Sequence, residues 1–284
     1  MTADEIPTLM PALRDRGLAP RKGLGQHYLT DPNILHSIVA ALEAPPDAVI
    51  IEVGPGPGTL TAALIPACSR LIAVELDEEL AAMLARLHER REHVHIIQGN
   101  ALALSPAELL QNTGGPTPYY LAGNLPYYIA SPLLRHYLEA EPPPVRAVVT
   151  VQLDVARRIV AVPPDMSLLA VAVQVYAVPT IVRRLPPGAF TPPPKVQSAV
   201  LRLDSRPQPL VPPDRREAFF RIVRAGFAQK RKTLRNSLAA GLHLSPAEVE
   251  RALAGAAIDP RRRAQELTLE EWLALAHSGT LGGL

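Results

Sequence analysis

Short apolar runs at residues 48–53, 70–75, 94–98, 119–122 and 147–152 recur through the first half of the chain, and amphipathic patterns such as 59–65 and 78–91 separate them. Runs of that length rich in Val, Ile and Leu read as buried strands, and i, i+3, i+4 apolar spacing reads as helix. Strand, helix, strand in repetition leaves few arrangements open. Parallel neighbours need a long crossover, a helix supplies it, and both sheet faces become covered. The expectation is an α/β fold with a mostly parallel sheet. An earlier helix is expected over 33–42, opened by Asp31 and Pro32, and further β structure over 169–178 and 198–203.

The pattern changes after residue 205. Pro207, Pro209, Pro212 and Pro213 forbid a helix or a central strand, so a domain boundary belongs there. Helical patterns follow at 215–229, 232–241, 245–254 and 268–277, the last two opened by the cap pairs Ser245 with Glu248 and Thr268 with Glu271. The reading is therefore a mobile leader at 1–20, an α/β domain at 21–205 and a small all-α domain at 206–284. With 284 residues, 48% of them hydrophobic, the chain can bury a substantial core.

Charge is uneven along the chain. Net charge is only +2, yet residues 206–263 carry 13 Lys and Arg against 5 Asp and Glu. A basic segment of this kind fits a polyanion partner or a solvated helix face, and composition does not choose between them. The single cysteine, Cys68, excludes an internal disulfide and a cysteine-based zinc site, and points to a reducing, cytoplasmic setting. The eight histidines show no ligand spacing, so no metal is expected. The apolar stretch near 168–178 is interrupted by Gln174 and falls short of the ~20 residues of a membrane span, and the start of the chain carries Asp4 and Glu5. No membrane association is expected.

The first strand runs into Gly54-Pro55-Gly56-Pro57-Gly58, a turn where a ligand can approach the backbone. A dinucleotide fingerprint requires a glycine where Thr59 stands, so nicotinamide binding is disfavoured. The spacing suits the methionine and ribose portions of S-adenosylmethionine in a class I methyltransferase; a tight connection is the alternative. Glu75 ends the second strand 21 positions after Gly54, where a carboxylate can accept ribose hydroxyls. Asn100 follows the third strand, and its amide oxygen can accept a hydrogen bond from an adenine amino group.

Asn124-Leu125-Pro126-Tyr127 follows the fourth strand. The exocyclic amine of adenine is a poor nucleophile because its lone pair is delocalised into the ring. An acceptor such as the Asn124 side-chain oxygen can bind an amine hydrogen and favour a pyramidal nitrogen, which is catalysis by position and electrostatics. Tyr127 offers a face for stacking. A proline-containing turn with a packed tyrosine is the plainer reading.

These segments, with Arg21-Lys22-Gly23-Leu24-Gly25-Gln26-His27-Tyr28-Leu29, Phe190-Thr191-Pro192-Pro193-Pro194-Lys195-Val196 and Lys230-Arg231-Lys232-Thr233-Leu234-Arg235-Asn236-Ser237-Leu238, resemble the bacterial 16S ribosomal RNA adenine N6,N6-dimethyltransferases over roughly residues 21–276. The resemblance implies a class I, Rossmann-like methyltransferase with a small C-terminal all-α domain. It implies methyl transfer from S-adenosyl-L-methionine, leaving S-adenosyl-L-homocysteine, to N6 of two adjacent adenosines near the 3′ end of 16S rRNA during small-subunit maturation. His27, Leu29, Gly54, Gly56, Glu75, Asn100 and Asn124 would contact the cofactor. Asn124, Leu125, Pro126, Tyr127 and Phe190 would form the catalytic pocket, with Phe190 stacked on the target base opposite Tyr127. Three departures stand out: His27 where the family usually has Asn, Asn100 where it usually has Asp, and a shortened segment at 163–169.

Arg221, Arg224, Lys230, Arg231, Lys232 and Arg235 are the expected phosphate contacts of the helical domain, with the later run Arg261-Arg262-Arg263 beside them. Two rivals remain: a large-subunit rRNA adenine methyltransferase, and a non-catalytic ribosome assembly factor. No heptad or long apolar stripe suggests a dimer, so a monomer is expected.

Overall fold

The computed structural model describes residues 7–15, 26–114, 118–277 and 281. The chain forms two compact units: Met1–Ala156 with Thr180–Ser205, and Arg157–Pro179 with Arg206–Leu284. The break at 205 agrees with the proline-rich stretch. The excursion at 157–179 into the second unit has no signal of that kind; it is tied there by backbone bonds from Arg206 to Tyr176, Leu210 to Val175 and Met166 to Gln265.

The strands are β1 (Tyr28–Leu29), β2 (Val49–Val53), β3 (Arg70–Glu75), β4 (Val94–Gln98), β5 (Tyr119–Asn124), β6 (Arg146–Gln152), β7 (Ala177–Leu185), β8 (Phe190–Thr191) and β9 (Ser198–Ser205). Seven of them make one sheet in the order β4-β3-β2-β5-β6-β9-β7, while β1 and β8 pair separately. Strands β4, β3, β2, β5 and β6 run parallel, and β9 pairs antiparallel with β6. The expected mostly parallel α/β sheet is present, and all five parallel strands lie within two residues of the expected bounds.

Apolar alternation explains the packing. Ile50, Leu71, Ala122, Val148 and Val200, one from each of five strands, are buried with Ile34, Ile38 and Leu42 of the helix Pro32–Leu42. That helix opens as its sequence predicts: Pro32 takes the first position and the Asp31 carboxylate accepts the Asn33 N–H at 2.9 Å.

Two expectations are corrected. Residues 168–174 form a helix rather than a strand, because Ser167 caps Ala170 at 2.9 Å and the turn buries Ala170, Val171 and Val173. The β-branched composition favours a strand, but packing against the helix Arg216–Phe227 overrides it. The strand comes later, as β7 at the sheet edge, where Pro179 and the pair Arg183-Arg184 are tolerated. The second correction concerns the leader. Met10–Asp15 is helical, Leu9 and Leu13 are buried against Tyr28, Leu80 and Leu84, and the Leu9 N–H donates to the Pro57 carbonyl at 2.7 Å. Residues 1–6 and 16–25 lie outside the described residues, and with them the rest of the leader and the Arg21-Lys22-Gly23-Leu24-Gly25 part of the first motif.

The second unit contains helices Arg216–Phe227, Leu234–Leu242, Pro246–Gly255 and Leu269–His277. Both expected caps form: Ser245 and Glu248 close a capping box, and Thr268 and Glu271 exchange backbone bonds with each other's side chains. Packing is close enough to require glycine. A Cβ on Gly226 would stand 2.4 Å from the buried ring of Trp272.

Candidate functional site: a cavity at the carboxyl ends of the parallel strands

Strand order turns back at β2, whose neighbours β3 and β5 lead away on opposite sides. In such sheets the carboxyl ends at the switch point leave a crevice. Here a cavity of roughly 960 Å³, counting its open mouth, is lined by Gly54 and Gly56 after β2, Glu75 and Leu76 at β3, Asn100 after β4, and Asn124 with Leu125, Pro126 and Tyr127 at β5. His27 and Leu29 line it too. Thus the structure gathers in one place every cofactor residue expected from the sequence, from strands far apart in the chain.

The glycine turn has the geometry its composition implies. Gly54, Gly56 and Gly58 all have positive φ, at 67°, 55° and 82°. A Cβ on Gly56 would meet the Tyr28 ring at 3.1 Å, and the Gly56 N–H donates to Glu75 Oε2 at 2.9 Å. The other carboxylate oxygen accepts from Asp77 N at 2.9 Å. Burial raises the Glu75 pKa, and those two N–H bonds offset part of the rise. Each oxygen retains a second acceptor position, so the carboxylate can hold the turn and a pair of hydroxyls together.

Asn124 is half-buried, and its Nδ2 donates to the His27 main-chain carbonyl at 2.7 Å. A carbonyl only accepts, so the amide nitrogen is the atom held there and Oδ1 is left as the acceptor. Tyr127 is fixed twice: its hydroxyl shares a hydrogen bond with Ser198 at 2.7 Å, and its ring stacks on His27 with centroids 5.9 Å apart. The His27 Nδ1–H in turn donates to the Pro192 carbonyl at 2.8 Å. An oriented acceptor and an anchored aromatic face therefore stand beside the glycine turn.

Residues 17–279 match the family model described as ribosomal RNA adenine dimethylase. The chain belongs to the ribosomal RNA adenine dimethylase family. It is 43% identical to a ribosomal RNA small subunit methyltransferase A of Dehalococcoides mccartyi, over 97% of this chain and 95% of that protein. A protein of the same name from Moorella thermoacetica is 39% identical over 94% of each. Among solved structures, the 23S rRNA methyltransferase ErmE superposes with a TM-score of 0.70 at 27% identity, covering 88% of this chain and 98% of that one. A dimethyladenosine transferase from Plasmodium falciparum shares the fold, with a TM-score of 0.75 at 23% identity over 91% of this chain and 99% of that one. The protein is thus a class I, S-adenosylmethionine-dependent rRNA methyltransferase.

Phe190 and Arg235 sit differently from what the motifs imply, and Asn100 is partly engaged within the fold. Phe190 is 3% exposed, packs in the core with Leu29, Ile34 and Val200, and does not line the cavity. What it does is carry β8, whose pairing with β1 sets Phe190 opposite Leu29 and so positions His27; the ring beside Tyr127 is His27, not Phe190. Asn100 lines the cavity, but its Oδ1 accepts from Leu102 N at 3.0 Å, leaving one further acceptor position for a ligand. Arg235 is half-buried and ion-paired with Glu250 at 2.6 Å, whereas Arg224, Lys230, Arg231 and Lys232 are exposed and Arg221 is half-buried. In the later basic run, Arg261 is paired with Asp259 and Arg262 with Glu271.

Several cavity residues were not among those expected from the sequence, Leu76 and Tyr128 the most exposed of them at 48% and 59%. Each directly follows a motif residue, Glu75 or Tyr127, and that adjacency was the available signal. Beneath the glycine turn, Glu52 is fully buried and neither oxygen has a hydrogen-bond partner of good geometry among the described residues. Burial pushes its carboxyl up to about 8; the nearby Thr61 hydroxyl offsets this in part and Glu75 adds to it.

Proposed function

We propose that this protein transfers methyl groups from S-adenosylmethionine to N6 of two adjacent adenosines near the 3′ end of small-subunit rRNA, giving N6,N6-dimethyladenosine during subunit maturation in the cytoplasm. The carrying observation is the tether of Asn124 Nδ2 to the His27 carbonyl, which leaves an aimed acceptor in the same cavity as the glycine turn.

The cavity fits the cofactor. It is a concave site where a few polar groups converge among apolar ones, Gly56 leaves space that a Cβ would fill against Tyr28, and Glu75 has acceptor positions to spare. Glu75 would hold the ribose, Asn100 the adenine amino group, and Leu76 an apolar edge of the adenine. When bound, the cofactor supplies an electrophilic methyl on a positively charged sulfur.

The remaining work falls to the chain's own residues. Asn124 Oδ1 accepts one hydrogen of the target amine, which withdraws the nitrogen lone pair from the ring and aims it. Tyr127, held by Ser198 and His27, offers its ring to a base taken out of its stack. Arg224, Lys230, Arg231 and Lys232 supply exposed positive charge for phosphates. We take the protein to act as a monomer. Relatives named for the small subunit stand at 39–43% identity, against 27% for the 23S enzyme, and this supports the small-subunit reading.

The test is transfer of labelled methyl from S-adenosylmethionine to small subunits lacking adenine dimethylation, with large subunits as control and the product nucleoside identified. Label as N6,N6-dimethyladenosine on small subunits alone is expected. Label on large-subunit RNA would select the 23S reading, and particle binding without label would select an assembly factor.

A further inference from the structure

Among the described residues, eight large apolar side chains are well exposed, and Tyr128 is the only aromatic in that group. An exposed aromatic at the mouth of a functional cavity calls for an explanation that a lone surface valine does not. Tyr128 makes no hydrogen bond or ring contact among the described residues, while its neighbour Tyr127 is held by both Ser198 and His27. Both lie in a turn closed by the Ile129 N–H donating to the Pro126 carbonyl at 3.1 Å, directly before the helix Ala130–Leu138. The turn therefore presents two rings one residue apart, one at the cavity wall and one at its lip.

We infer that Tyr128 is a stacking platform for the nucleobase next to the target adenosine. The inference rests on the proposed function and extends it to a second base site. If one of two adjacent adenosines occupies the cavity, the other is held by the backbone within one nucleotide step of the mouth. Consecutive Cα atoms are ~3.8 Å apart, so rings on neighbouring residues can serve neighbouring bases. Single-stranded bases stack on aromatic side chains without sequence reading, because every base offers a π-face. Tyr128 supplies such a face at 59% exposure.

The experiment compares wild type, Tyr128→Ala and Tyr128→Phe on small subunits reconstituted with intact RNA or with RNA in which either nucleotide flanking the target adenosine is abasic. Apparent KM for the particle and kcat are measured, with cofactor affinity by calorimetry. Tyr128→Ala is expected to raise KM about tenfold, equivalent to about 1.4 kcal/mol, with cofactor affinity unchanged, and Tyr128→Phe to match wild type. One abasic substitution should cost the wild type a similar factor and cost Tyr128→Ala nothing more. Losses that multiply for both flanking positions, or a Tyr128→Ala enzyme equal to wild type, overturn the inference alone. A wild-type enzyme that methylates no intact small subunit overturns the proposed function as well.

Discussion

The side-chain amide of Asn124 donates to the main-chain carbonyl of His27 at 2.7 Å, joining the end of β5 to the residue before β1. This bond decides which atom of Asn124 is left for a substrate. With Nδ2 occupied, the oxygen is oriented before any base arrives, and preorganised acceptors cost no reorganisation at the moment of reaction.

Replacing Asn124 with alanine should therefore reduce kcat for methyl transfer by about 10²-fold or more, the scale of losing one preorganised contact. Cofactor affinity should stay near wild type, because the glycine turn is held by Glu75 and not by Asn124. Calorimetry and single-turnover transfer separate the two. Equal losses in both would make Asn124 part of the cofactor site.

Glu52 makes stability depend on pH in a defined window. In the unfolded chain its carboxyl titrates at the ordinary 4.5, whereas burial in the folded protein raises it to about 8. The folded state therefore binds more protons between these values. Stability from this group is present below pH 4.5 and is lost as pH rises through about 8, with a slope of up to about 1.4 kcal/mol per pH unit. Glu75 shifts in the same direction and adds to the trend. Chemical denaturation from pH 5 to 8 should show wild type losing stability more steeply than Glu52→Gln. Parallel curves for the two proteins would mean that Glu52 is ionised in the fold.

Much of this site was legible in the sequence, for physical reasons. Gly54, Glu75, Asn100 and Asn124 each end or follow a strand whose apolar run is unambiguous, and a parallel sheet sends all such ends to one edge. Phe190 misled because a motif gives residue type and order but not which wall a side chain packs into; its ring lies in the core. The 168–174 helix misled because Val and Leu suit either state, and only the Ser167 cap together with tertiary packing decides. The ion pair of Arg235 was invisible because Glu250 lies 15 residues away on another helix. Tyr128 was not legible because tertiary packing, and not the Asn124-Leu125-Pro126-Tyr127 motif before it, decides whether its ring faces solvent.

Gly226 tests the packing of the helical unit. A Cβ there would stand 2.4 Å from Trp272, which is fully buried and stacked on Phe227 at 5.4 Å. An indole held in this way cannot retreat without opening the core. Gly226→Ala should destabilise the protein by about 1–3 kcal/mol, the usual cost of overpacking, and lower the melting temperature measured by calorimetry. An unchanged or higher melting temperature would show that Trp272 has room to move.

Exposed and paired arginines should differ in their effect on RNA binding. Lys230, Arg231 and Lys232 are exposed and precede the helix Leu234–Leu242, whereas Arg235 is bound to Glu250 at 2.6 Å. A cation already neutralised within the fold releases few counterions when a phosphate arrives. Replacing Lys230, Arg231 and Lys232 together with alanine should weaken particle binding and flatten the plot of log affinity against log salt by about two units, at about 0.7 per phosphate contact on single strands. Arg235→Ala should change that slope little. A slope altered as much by Arg235→Ala as by one of the exposed cations would mean that the Glu250 pair opens on binding, and that Arg235 is released to the RNA.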